Sequence, residues 1–145
     1  MEPGRRGAWI AWAGQYAVAA VVFLALDLVW LTTVAQRLYD DKLGDLLRDP
    51  PNVGAAVAFY ALFVAGLVFF VVEPAVRAGA WRRAVLTGAF FGLVTYATWD
   101  LTNLAVIEGF PAVLVPIDLA WGAFVSAAVA GVTFLVARRL PGRAR

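Results

Sequence analysis

The chain alternates long apolar stretches with short polar connections, and this pattern predicts its topology. The apolar stretches cover residues 9–34, 53–72, 84–107 and 112–137. Each reaches the roughly 20 residues that an α-helix needs to cross the hydrocarbon core of a bilayer. The pattern therefore predicts an all-α fold, a four-helix transmembrane bundle in which residues 1–145 form a single integral membrane domain.

The connections between these stretches differ in length and in character. Residues 36–52 mix leucines with charged side chains and end in Pro50-Pro51. This mixture predicts a short amphipathic interfacial helix between helices one and two. Residues 108–111 are so few that helices three and four are expected to form a tight antiparallel hairpin. The first apolar stretch is longer than the roughly 7–15 residues of a secretory signal core, so we expect it to be kept as a membrane helix.

The basic residues are distributed unevenly across this topology. Most Lys and Arg residues lie at the two termini, including Arg143 and Arg145, and between the second and third helices. Four crossings place these regions on the same side of the membrane. Only Arg37, Lys42 and Arg48 fall on the other side. Because basic segments are retained in the cytoplasm, we expect the N- and C-termini to be cytoplasmic.

The composition supports a membrane protein and excludes several kinds of chemistry. Hydrophobic residues make up 63% of the chain and charged residues 15%, compared with roughly 25% charged residues in soluble domains. The chain has no Cys and no His, which excludes a disulfide, a thiol nucleophile, a thiolate metal site and an imidazole base. The basic residues flank membrane helices, so we expect membrane lipids as partners, no nucleic acid and no cofactor.

Three aspartates, Asp27, Asp100 and Asp118, interrupt the apolar stretches. A carboxylate near the middle of a membrane helix costs roughly 2.5–3.5 kcal/mol on insertion scales, so each needs a structural or functional reason. At 1.5 Å per residue, each lies about 26–30 Å from the cytoplasmic end of its helix. The three carboxylates are therefore predicted to converge in one layer on the extracytoplasmic side, in a polar pocket of the outer leaflet.

Other polar and aromatic side chains are predicted to surround these carboxylates. Tyr96 and Asn103 share one face of helix three with Asp100, four and three residues away. A tryptophan lies within three residues of each aspartate, where it suits cation–π contact with a ligand. The predicted ligand-binding or polar-network residues are Asp27, Trp30, Tyr60, Tyr96, Trp99, Asp100, Asn103, Asp118 and Trp121.

Small residues at four-residue intervals predict close helix packing. Gly88 and Gly92 precede Tyr96 at this spacing in helix three, and Gly122 and Ser126 repeat it in helix four. Such faces let two helix backbones approach closely. We expect them to pack helices together, and a homodimer through these faces is one way in which they would do so.

The aspartates admit two interpretations. In the first, they accept hydrogen bonds from Trp, Tyr, Asn and Thr side chains and tie helices one, three and four together. In the second, they form a site for a ligand, a cation or a proton. We assign no metal site, because the spacing matches no calcium-binding loop and the oxygen ligands come from separate helices. Catalytic residues are not assigned.

Several segments of the chain resemble one known protein family. They are Leu26-Asp27-Leu28-Val29-Trp30-Leu31, Tyr39 with Leu43-Gly44, Tyr96-Ala97-Thr98-Trp99-Asp100-Leu101-Thr102-Asn103-Leu104-Ala105, and Asp118-Leu119-Ala120-Trp121-Gly122. In this order and spacing they are similar to the bacterial predicted membrane proteins called domain of unknown function 2177. Trp99 stands where the family pattern suggests a second Tyr. The resemblance implies a small four-helix bundle in the bacterial inner membrane, and it implies no activity.

Three classes of function remain open from the sequence. The one we favour is a binding or accessory membrane protein that uses the pocket for a small ligand, a lipid head group or a partner helix. The second is a proton- or cation-coupled small-molecule transporter, against which the inner halves of the helices offer few polar residues. The third is a lipid-modifying enzyme that uses the carboxylates, against which the absence of His argues.

Overall fold

The computed structural model describes residues 3–139, with side chains from residue 7 onward. These residues form helices and short connections and contain no β-strand. Arg143 and Arg145, which enter the predicted charge asymmetry, lie outside the described residues. Within the described range, four helices are long and apolar enough to cross a membrane. The prediction of an all-α, four-helix membrane bundle is therefore confirmed.

Two of the four membrane helices are composite. The α-helices of the described chain are α1 (Pro3–Trp30), α2 (Gln36–Leu43), α3 (Val53–Leu67), α4 (Glu73–Arg77), α5 (Trp81–Val106) and α6 (Leu114–Ala137). The π-helical segment Leu31–Ala35 joins α1 to α2, and a second one, Val68–Val72, joins α3 to α4. We call the run from α1 to α2 the first membrane helix and the run from α3 to α4 the second.

The first membrane helix is longer than the sequence predicts. Together with the 3-10 turn Gly44–Leu46 that follows α2, its candidate membrane span is Gly7–Leu46, which is 40 residues. The apolar pattern of the sequence, in contrast, ends near residue 34. The Thr32 and Thr33 hydroxyls donate to carbonyl groups one turn earlier, at 2.8 and 2.6 Å, and so satisfy acceptors where the helix widens into its π turn. No Gly or Pro occurs between Gly14 and Gly44, and the φ of 47° at Gly44 ends α2.

The separate interfacial helix predicted within residues 36–52 is not confirmed. α2 continues the first membrane helix without turning away from it. Its apolar side chains pack against the loop before α6 and the first turn of that helix. The residues in this contact are Leu38, Tyr39 and Leu43 on one side and Phe110, Leu114 and Val115 on the other. Protein thus partly covers the apolar face of α2, while Leu46 and Leu47 beyond it stay exposed.

The second membrane helix also extends beyond its predicted end. It begins after Asn52, whose side chain accepts a 3.1 Å hydrogen bond from the Ala55 N–H and caps the helix. Pro74 lies in the first turn of α4, where proline's fixed backbone conformation suits a helix. Only a short turn remains before α5, with φ of 64° at Gly79.

α5 and α6 form a close antiparallel hairpin in which glycines face each other. A Cβ atom on Gly92 would lie 1.9 Å from the carbonyl oxygen of Gly122, and one on Gly88 would lie 2.9 Å from that of Ser126. No side chain fits at the first of these distances, so the backbones approach more closely than larger residues permit. The small-residue faces of α5 and α6 therefore pack against each other within the chain.

An apolar core fills the middle of the bundle. Phe23 of α1, Leu67 and Val68 of the second membrane helix, and Val125 and Val129 of α6 have no exposed surface. Burying such side chains stabilises the fold by roughly 1.5–3 kcal/mol each. This layer separates the two ends of the bundle, each of which carries its own cluster of polar side chains.

Candidate ligand-binding site

A cavity of about 590 Å³ lies between the helices at the end of the bundle opposite the chain termini. Most of the residues predicted from the sequence line it. These are Asp27, Trp30, Tyr96, Trp99, Asp100, Asp118 and Trp121. Tyr60 and Asn103 stand outside the lining, Tyr60 behind Asp27 and Asn103 one turn beyond Asp100 on α5. The fold thus brings aspartates from three different helices to one cavity.

Asp27 is held by hydrogen bonds from two other helices. Its side chain is 6% exposed. The Tyr60 hydroxyl donates to Oδ2, and Trp121 Nε1–H donates to Oδ1 at 3.4 Å. Both carboxylate oxygens therefore have donors, and Asp27 links α1 to α3 and α6. This is the arrangement expected of a structural polar network.

Asp118 is anchored by a residue from α2. The Tyr39 hydroxyl donates a 2.8 Å hydrogen bond to Asp118 Oδ1. The packing of α2 against the start of α6 carries Tyr39 to this position. Since Asp118 is only 3% exposed, this bond compensates part of the cost of burying its carboxylate.

Asp100 has no such donor. Its side chain is completely buried, and neither Oδ1 nor Oδ2 has a hydrogen-bond partner among the described residues. Its carboxyl group neighbours that of Asp118, which lines the same cavity. Two charged carboxylates only accept hydrogen bonds, so a stable contact between them requires a proton or a cation.

Aromatic rings form much of the remaining wall. The indoles of Trp30 and Trp121 stack with their ring centroids 4.5 Å apart and an interplanar angle of 6°. Phe63 meets Tyr96 edge to face at 6.3 Å and also contacts Phe91. The wall therefore combines flat aromatic surfaces with buried carboxylates, a combination that suits a cationic or amphipathic ligand.

The cavity opens through the side of the bundle. Five lining residues are exposed: the large apolar side chains Leu31 at 40%, Phe59 at 48% and Trp99 at 63%, and the threonines Thr98 and Thr102 of α5. The backbones of α3 and α5 stay apart here, since the second membrane helix contacts α5 mainly through its π-helical segment and α4. The rim is thus largely apolar and faces outward, where lipid would surround a bundle that spans a membrane.

The described lining of the cavity is acidic. It includes carboxyl, phenol, hydroxyl and indole groups, and among the described residues no Lys or Arg. Among the described residues no group of three His, Cys, Asp or Glu side chains is placed to hold a metal ion. Asp100 neighbours Asp118, while Asp27 accepts hydrogen bonds from Tyr60 and Trp121. The arrangement can bind a positively charged or donor-rich group.

The sequence pattern predicts Tyr39 in the interfacial helix and does not indicate it as a site residue. The signal that points to it is its place among the motifs that resemble the family. The threonines of α5 that line the cavity were also not assigned. Thr95 and Thr98 donate their hydroxyls to carbonyl groups one turn earlier in their own helix, at 2.9 and 2.8 Å. They therefore offer mainly acceptor capacity to the cavity.

A second polar cluster lies at the other end of the bundle. Gln15, which is 1% exposed, donates from Nε2 to Glu73 Oε2 at 2.8 Å, and Arg77 Nε–H donates to Glu73 Oε1 at 2.9 Å. A cavity of about 910 Å³ adjoins this cluster. The apolar core separates it from the aspartates, so the two clusters are distinct.

The fold and the cavity define a small multi-pass helical membrane protein with an acidic and aromatic cavity at one end. The chain belongs to the family described as predicted membrane protein (DUF2177), whose family model matches residues 12–135. The resemblance noted from the sequence motifs is therefore confirmed. No curated protein and no solved structure matches the chain.

Proposed function

We propose that this protein is a membrane binding protein whose cavity holds a small ligand or a lipid head group. The observation that carries this proposal is Asp100, a buried carboxylate without a donor that lines an open cavity. An unsatisfied buried polar group costs about 1–3 kcal/mol, and more when it is charged. A bound ligand that supplies a donor or a positive charge offsets this cost.

The apolar core favours binding over transport. Phe23, Leu67 and Val125 are fully buried in this core, where the buried polar groups on α6 are the hydroxyls of Ser126 and Thr133 and no described side chain is charged. A charged substrate would have to cross the core with no charged partner and with few polar contacts, which is costly. A site that is open on one flank and closed beneath suits a protein that receives and holds its ligand.

We further propose that the protein lies in the bacterial inner membrane with both termini in the cytoplasm. The basic residues of the turn before α5, Arg82 and Arg83, and those that follow α6, Arg138 and Arg139, support this orientation. The cavity then lies on the extracytoplasmic side. The partners that we propose are membrane lipids; a homodimer would have to use a face other than Gly88 and Gly92.

Native mass spectrometry of the purified protein tests the proposed binding. We expect a small molecule to co-purify with the wild type, and the Thr98→Trp variant, which fills the cavity rim, to lose it. Thr87→Trp is the matched control, because Thr87 is an exposed residue of α5 outside the cavity. Equal retention by all three proteins would contradict the proposal, as would a wild type that binds nothing from a total bacterial lipid extract.

Two further readouts separate the other classes of function. Proteoliposomes are expected to bind the co-purified molecule without moving it across the bilayer. Mass spectrometry of that molecule after incubation is expected to show it unchanged. Flux that disappears in Asp100→Asn would instead make the protein a transporter, and conversion of the molecule would make it an enzyme.

A further inference from the structure

Of the two neighbouring carboxyl groups of Asp100 and Asp118, only that of Asp118 has a hydrogen-bond donor among the described residues. Asp118 receives a hydrogen bond from Tyr39 at Oδ1, while Asp100 receives none. Asp100 is fully buried and lines the cavity. Its two oxygens are therefore the strongest unsatisfied acceptors that the cavity presents to a ligand.

The titratable groups on the surrounding helices supply no positive charge to Asp100 and Asp118. The titratable side chains near them are Asp27 and Tyr39 of the first membrane helix, Tyr60 of α3 and Tyr96 of α5. Tyr60 and Trp121 already donate to Asp27. No described Lys or Arg belongs to the cavity lining. The compensating charge, a proton or a cation, therefore comes from outside the described residues.

The aromatic wall of the cavity favours one kind of cation. Trp30 and Trp121 present a stacked pair of indoles to the same cavity, and Trp99 stands exposed at its rim. Indole faces attract organic cations, and quaternary ammonium groups in particular. An inorganic cation such as Ca²⁺ would need about 6–8 oxygen ligands, which this aromatic lining does not supply.

We propose that the cavity binds an organic cation, an ammonium group with an apolar substituent, whose charge lies at Asp100 and Asp118 and whose apolar part lies against Trp30 and Trp121. This inference rests on the proposed binding function and specifies its ligand class. The ammonium group is carried either by a lipid head group or by a free amine. The lateral, apolar rim admits both.

The same geometry makes the cation compete with protons. Either a proton or an ammonium group compensates the contact between the two carboxyl groups. Lowering the pH adds the proton and removes the charge that attracts the cation. The affinity for the cation should therefore fall as the pH decreases, and this dependence should require both Asp100 and Asp118.

Matched soluble probes test the charge requirement. Benzyltrimethylammonium, benzyl alcohol and phenylacetate have similar apolar parts but differ in charge, and tryptophan fluorescence of the full chain in detergent reports their binding. We expect saturable binding of the cation, with affinity about tenfold or more above that of the other two probes. Asp100→Asn should abolish this preference and its pH dependence, while Asp45→Asn, which removes an exposed carboxylate at the same end of the bundle, should retain both.

The outcomes distinguish this inference from the proposed function. Binding of all three probes with similar affinity, or binding of the cation that does not depend on pH, would overturn the cation assignment and leave a neutral-ligand cavity. Failure of every probe to bind, together with no co-purified molecule, would overturn both.

Nanodiscs identify the source of the ammonium group. Phosphatidylethanolamine and digalactosyldiacylglycerol have no net charge, but only the first carries an ammonium group. Weaker binding of benzyltrimethylammonium in phosphatidylethanolamine nanodiscs supports a lipid head group as the ligand. Equal binding in both supports a free amine, and stronger binding in phosphatidylethanolamine contradicts competition at this site.

Discussion

Trp121 stacks on Trp30 and at the same time donates from Nε1–H to Asp27. This one side chain of α6 therefore contacts the last turn of α1 at two positions, three residues apart. The hydrogen bond from Trp121 also distinguishes Asp27 from the other aspartates. Asp27 is satisfied by protein donors, whereas Asp100 is not. The structural and the ligand-binding interpretations of the aspartates thus apply to different residues.

Asp27→Asn should destabilise the protein. The amide has one acceptor oxygen in place of two and no charge, so it loses a charge-assisted hydrogen bond from Tyr60 or from Trp121. We expect a loss of about 1.5–3 kcal/mol, which thermal unfolding in a mild detergent would detect as a lower midpoint. An unchanged midpoint would show that the hydrogen bonds to Asp27 contribute little.

Asp100→Asn should have the opposite effect on stability. The new amide N–H can donate to Asp118, and it removes one of two adjacent negative charges. We expect the unfolding midpoint of the ligand-free protein to stay the same or to rise, although ligand binding is lost. A fall as large as that in Asp27→Asn would mean that Asp100 belongs to the structural network.

Tyr39→Phe tests whether α2 is part of the site. The substitution keeps the ring in its apolar contact but removes the donor to Asp118. We expect a loss of about 1.5–3 kcal/mol in the same unfolding measurement, because a buried carboxylate oxygen loses its partner. The control is Tyr16→Phe, whose hydroxyl makes an exposed 3.2 Å bond to a carbonyl group. Equal midpoints for the two variants would argue against the Tyr39–Asp118 contact.

Gly92→Ala tests the close approach of α5 and α6. The added Cβ would lie 1.9 Å from the Gly122 carbonyl oxygen, so the two backbones must separate. Overpacking of this kind costs about 1–3 kcal/mol or more. Gly7→Ala is the control, since a Cβ there meets nothing within 4 Å. If Gly92→Ala unfolds at the same temperature as Gly7→Ala, the helices are not packed through this glycine.

Single cysteines test the proposed orientation, because the chain has no Cys of its own. Asp49 and Ala78 are exposed and lie in connections at opposite ends of the bundle. A membrane-impermeant maleimide should label Asp49→Cys on intact bacterial spheroplasts, and Ala78→Cys only after permeabilisation. The reverse pattern would place the cavity on the cytoplasmic side.

The sequence predicted the membrane helices because their apolar runs are long and nearly free of charge. The sequence also predicted that Asp27, Asp100 and Asp118 lie at one depth. The constant rise per residue of an α-helix converts their positions in the sequence into distances along the helix axes. The packing of α2 was not predictable in the same way. An amphipathic pattern shows that one face is apolar, but it does not tell whether lipid or Phe110 covers that face.

The division of roles within the cavity was likewise beyond the sequence. Asp27 and Asp100 occur in similar apolar surroundings along the chain. Only the folded structure shows that Tyr60 meets one of them and that no donor meets the other. Hydrogen bonding between helices depends on their relative rotation, which periodicity along a single helix does not determine.

The core between the two polar clusters carries no charged side chain among the described residues, and this has an electrical consequence. The membrane potential falls mainly across regions that exclude water and ions, and one charge that crosses 100 mV gains about 2.3 kcal/mol. With Phe23, Leu67 and Val125 beneath the cavity, most of that drop lies below Asp100 and Asp118. A cation that enters the cavity therefore crosses little of the field, and its occupancy follows the medium on one side of the membrane rather than the voltage.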